Sequence, residues 1–77
     1  MLELSDIYPA GFLCCAGLKY RIEKETTPNG RNRVIFIFED DGAQDLCRKF
    51  YSGQEDTISA NEYARVLKEL KSLVHNF

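Results

Sequence analysis

Seventy-seven residues and 8.9 kDa fit one domain with a thin core, because a chain this short buries only roughly 60–65% of its unfolded surface. Hydrophobic residues at 44% and charged residues at 29% give the composition of a folded globular chain rather than a disordered one. The net charge of −2 excludes a global electrostatic pull toward nucleic acid or acidic membranes.

The first predicted element is a helix over residues 7–16, with Ser5 or Asp6 as its N-cap and Pro9 in the first turn, where a missing N–H costs nothing. Gly17 is a suitable C-terminal stop. Ile7, Tyr8, Ala10, Phe12, Leu13, Cys14, Cys15 and Ala16 cover this helix on nearly every side, so it must be buried on nearly every side. The uncharged run from Ile7 to Leu18 is well short of the ~20 residues that span a bilayer. Only Glu3 and Asp6 are charged ahead of it, which is not the layout of a secretory signal.

A hairpin follows, with strands at 18–26 and 32–39. Leu18, Tyr20 and Ile22 alternate with Lys19, Arg21 and Glu23, the period of a strand with one wet face. Thr27-Pro28-Asn29-Gly30 carries the turn, since Asn-Gly readily takes positive φ. The return strand Val34-Ile35-Phe36-Ile37-Phe38 is apolar on both faces and needs cover on each. Glu39-Asp40-Asp41 then opens a second helix over 42–52, where acidic residues favour the positive end of the helix dipole. Leu46, Cys47, Phe50 and Tyr51 share one face of it, and Gly53 ends it. Gln54-Glu55-Asp56-Thr57 is a short polar connection. The last helix, over 60–74, starts with Ser59 and Glu62 at capping-box spacing and with Ile58 and Tyr63 as a hydrophobic staple.

The order is therefore α-β-β-α-α, a single α+β domain over residues 1–77. Its expected core is Ile7, Phe12, Leu13, Ile22, Val34, Phe36, Phe38, Leu46, Phe50, Tyr63, Val66, Leu67 and Leu70.

Three segments together resemble a family of small bacterial and phage-associated proteins that share a domain of unknown function. They are Tyr8-Pro9-Ala10-Gly11-Phe12-Leu13 with Gly17, the strand Val34 to Phe38 followed by Glu39-Asp40, and Tyr63-Ala64-Arg65 through Leu70-Lys71-Ser72-Leu73. The resemblance rests on apolar and turn positions. It implies the element order and a bacterial or phage-associated source, and it carries no activity and no site residues.

Catalytic and metal chemistry find little footing. The single histidine, His75, sits two residues from the end of the sequence, where chains fray. No Gly-x-Ser-x-Gly elbow or phosphate-cradling glycine loop is present. Cys14, Cys15 and Cys47 with His75 match zinc in number but not in ligand spacing. The three cysteines read as reduced, buried thiols of a cytoplasmic protein. No catalytic residue, metal or cofactor is assigned.

Two binding readings remain. The surplus of apolar surface suggests a protein-interaction or accessory module that forms a homodimer, hiding Phe12, Leu13, Ile35 and Ile37, with hairpins abutting into a four-stranded sheet. The alternative is nucleic-acid binding. From Leu18 to Phe38 the hairpin holds five basic residues against two acidic ones, a local charge of +3. Lys19, Arg21, Arg31 and Arg33 would be the contacts, on a ribbon able to enter a major groove.

Overall fold

The computed structural model describes residues 1–53 and 58–76. The order is β1 (Leu2–Leu4), α1 (Ile7–Cys15), β2 (Arg21–Thr26), β3 (Asn32–Phe38), α2 (Ala43–Ser52) and α3 (Ala60–Asn76). The fold is α+β, with three helices and a three-stranded antiparallel sheet of order β1-β3-β2 among the described residues. The strand β1 was not expected. It pairs Leu2 with Phe38 and Leu4 with Phe36, so two leucines extend the apolar face of β3. The polar connection expected at Gln54–Thr57 lies outside the described residues.

Local signals explain the boundaries. Asp6 caps α1, its Oδ1 accepting the Tyr8 N–H at 3.0 Å. At the other end Gly17 takes φ +94°, and its N–H donates to the Cys14 carbonyl while the Leu18 N–H reaches back to Leu13. This paired closure needs a left-handed residue at that position, which glycine adopts without steric cost. The hairpin loop is wider than a two-residue turn. Gly30 N–H donates to the Thr27 carbonyl, and among the described residues only glycines have positive φ, so Asn29 keeps ordinary geometry. Pro28 then occupies the second position of a type I turn, which it favours. Asp40 Oδ1 accepts the Gly42 N–H at 2.8 Å and turns the chain into α2. Ser59 Oγ accepts the Glu62 N–H at 3.3 Å, the first half of the expected capping box.

All three helices pack on one face of the sheet. Val34, Phe36 and Phe38 from β3 form one cluster with Ala10, Phe12 and Leu13 of α1, Ala43 and Cys47 of α2, and Val66 and Leu70 of α3. The helix α1 is held between the sheet, α2 and α3, which is how a helix apolar on every side is satisfied within one chain. At its closest approach to α3 stands Gly11, where a Cβ would lie 2.9 Å from Leu67 Cδ2 and 3.3 Å from Tyr63 Cε1. Nearby, the Tyr63 hydroxyl donates to the Tyr8 carbonyl at 2.9 Å.

The core differs from the expected one at its margin. Ile7, Ile22, Leu46, Phe50, Tyr63 and Leu67 are only half-buried, while Pro9, Ala10, Gly11, Ile35, Ile37, Ala43 and Cys47 are buried. Small residues are buried where helices approach closely. Large ones at the rim lean over the core and leave one side wet.

Candidate functional site

The helices leave the second face of the sheet open, and its residues follow from register. Arg21 faces Ile37, Glu23 faces Ile35 and Glu25 faces Arg33 across β2 and β3, while Glu3 faces Ile37 from β1. Ile35 and Ile37 are nonetheless only 6% and 2% exposed. Charged neighbours roof them over. Arg21 pairs with Glu23 at 2.5 Å and with Glu39 at 3.5 Å, and Arg33 pairs with Glu25 at 2.8 Å. The aliphatic stems of such side chains cover apolar surface while their heads stay in water. The hydrogen bond that Arg21 donates to Glu23 also pushes its guanidinium above its ordinary pKa.

The expected self-association residues therefore occupy different surroundings from those assumed. Phe12 and Leu13 are 4% and 0% exposed, inside the core among the sheet, α2 and α3. Ile35 and Ile37 lie beneath ion pairs. None of the four presents its side chain to a second molecule, because one chain already supplies the cover.

The expected nucleic-acid contacts divide. Lys19, Arg21 and Ile37 come together with Leu18, Glu39 and Asp40 around a shallow cleft of about 540 Å³ where the α1–β2 connection meets the end of β3. Arg31 lies in the hairpin loop, and Arg33 lies opposite Glu25, about 13 Å along β2 from Arg21 at roughly 3.3 Å per residue. The open face carries Lys19, Arg21 and Arg33 against four glutamates, Glu3, Glu23, Glu25 and Glu39. Its local charge is −1, which offers phosphate no net attraction. The positive balance of the hairpin disappears once its residues are sorted by face. Lys24 illustrates why, since it pairs with Val34 on the helix side.

Neither thiol nor histidine chemistry gathers anywhere. Burial, then Cys15 and then Glu69 push the Cys14 thiol up to about 11, and burial is also the main cause that raises Cys15 and Cys47. A nucleophilic cysteine needs the opposite shift. Cys14 should therefore alkylate about 100-fold more slowly than an ordinary thiol at pH 8, with its rate climbing until pH approaches 11. Iodoacetamide labelling followed by peptide mass mapping at several pH values checks this, and rapid Cys14 labelling at pH 7 would contradict it. Among the described residues, no group of three His, Cys, Asp or Glu side chains is arranged to hold a metal ion. No helix among them is long and apolar enough to cross a membrane.

The feature that sequence reading missed is the edge. Only Ile22 of β2 is even half-buried, and the strand pairs with β3 on one side alone. Among the described residues nothing pairs with the outer row of backbone N–H and C=O groups along Arg21–Thr26. No family model matches the chain, and no curated protein or solved structure is significantly similar to it.

Proposed function

We propose that this chain is a small non-enzymatic protein-interaction module that acts by self-association, and that it does so through the sheet rather than through the helices. The observation that carries this reading is the free edge of β2, six residues long and exposed at five of them. Exposed strand edges are templates for another strand, because their backbone groups still seek partners. The opposite edge, β1, offers only three residues. Pro9–Leu13 of α1 and both faces of β3 are covered within one chain, so association does not depend on hiding them. Free Cys14, Cys15 and Cys47 support a reducing compartment, and we place the protein in the cytoplasm.

Size-exclusion chromatography with light scattering across micromolar concentrations tests the reading. A mass near twice 8.9 kDa is expected, falling on dilution. A mass of 8.9 kDa at every concentration would overturn it. Random duplex DNA at low salt should give no mobility shift. A salt-sensitive shift lost on replacing Arg31 and Arg33 with Ala would favour nucleic acid instead.

A further inference from the structure

The charge order along β2 is antisymmetric about Ile22, and we infer that a second copy of this chain pairs antiparallel with β2 about a twofold axis at Ile22. This rests on the self-association proposed above and names its register. The segment reads Lys19-Tyr20-Arg21-Ile22-Glu23-Lys24-Glu25. A twofold at Ile22 sets Arg21 against Glu23, Lys19 against Glu25, and Tyr20 against Lys24, each contact occurring twice by symmetry. Both charge contacts are opposite in sign. The third places an ammonium beside an aromatic ring.

Register choice is restricted. Facing residues in an antiparallel pair share a face of the sheet, so the axis must pass through a residue. Centring on Arg21, Glu23 or Lys24 brings that charge against its own copy. Centring on Ile22 places an apolar side chain at the axis, on the helix face beside Phe36, where it is half-buried in the single chain. Tyr20 packs on Phe36 and Phe38 at centroid distances of 5.4 and 5.9 Å, which continues the alternation of β2 back to residue 20 and aims Lys19 at the open face.

An edge guarded only against aggregation is served by any charges that repel a copy of themselves. This edge carries charges that match a copy of themselves in one alignment. Arg21 and Glu23, already paired within the chain, would close into a ring of four alternating charges with their counterparts. The result is a continuous six-stranded antiparallel sheet, wider than the expected four strands because β1 extends each half.

The test uses single reversals and their mixture. Arg21→Glu leaves acid at both inner positions and Glu23→Arg leaves base at both, so each variant alone faces like charges twice across the axis. Each should weaken the dimer at least about tenfold in Kd, and a mixture of the two should restore a dimer containing one chain of each. Both side chains are about half exposed, at 50% and 58%, so circular dichroism should report an intact fold. Lys19→Glu provides a second route, because among the described residues Lys19 makes no ion pair within the chain. It too should weaken the wild-type dimer. A monomeric wild type would sink self-association itself. A dimeric wild type whose Arg21→Glu and Lys19→Glu variants dimerise equally well would leave self-association standing and overturn this register. So would reversals that dissociate singly yet fail to combine.

Discussion

Replacing Phe36 with Ala should cost the fold a large share of its stability. Phe36 is fully buried at the centre of β3, flanked by Leu4 and Ile22 in register, with the Tyr20 ring edge-on at 5.4 Å. Removing a buried phenyl ring costs about 3–5 kcal/mol, the lost transfer energy plus the cavity left behind. At about 0.05–0.15 kcal/mol per residue, a chain of this length has roughly 4–12 kcal/mol in total. Urea unfolding followed by circular dichroism measures the change, and a loss below 1 kcal/mol would show that Phe36 is not the centre of the core.

Gly11→Val should damage the helical side, with a loss of about 2–3 kcal/mol from overpacking. An added Cβ already stands 2.9 Å from Leu67 Cδ2, and the two valine methyls reach further into α3. Gly11→Ala separates crowding from conformation. Its single methyl meets the mobile end of a half-buried leucine, and the removal of glycine's excess freedom in the unfolded chain offsets part of the contact by about 0.5–1 kcal/mol. Thermal denaturation should therefore lower Tm by about 10–20 °C for Val and by only a few degrees for Ala, at about 4–8 °C per kcal/mol in a domain of this size. A valine no worse than the alanine would mean that crowding against Leu67 is not what limits this position.

Elements with explicit punctuation were legible from residues alone. Ser5 or Asp6 with Gly17 bounded α1, Thr27-Pro28-Asn29-Gly30 marked the hairpin although Asn29 does not take the positive φ expected of it, and Ser59 with Glu62 opened α3, because each works through hydrogen bonds made within a few residues. The strand β1 was illegible for the complementary reason. Leu2-Glu3-Leu4 is too short to establish a period, and only its pairing with Phe36 and Phe38 makes it a strand. The cover over Ile35 and Ile37 was also beyond reach. A sequence shows that β3 is apolar on both faces, but not that glutamates and arginines of neighbouring strands fold over one of them.

The candidate site was half visible. The alternation of residues 18–23 was read as a strand with one wet face, although the strand itself begins only at Arg21, and its charges were weighed as a sum. Their order about Ile22 was present in the same residues. It acquires meaning only when β2 proves to be the outermost strand, a property of the whole sheet rather than of the segment.

The position of α1 also has a consequence for how the chain comes into being. Its walls are synthesised at widely separated times, with β1 before it, β3 and α2 after it, and Val66 and Leu70 of α3 last. On a translating ribosome adding about 5–20 residues per second, Leu13 waits about 3–11 s before Leu70 exists to cover it. Throughout that interval Pro9–Leu13 is an apolar segment with an unfinished shelter, the kind of surface that nascent-chain chaperones grip. A message truncated before Val66 would make the exposure permanent. The segment most deeply enclosed in the finished protein is thus the one most open to quality control while it is being made.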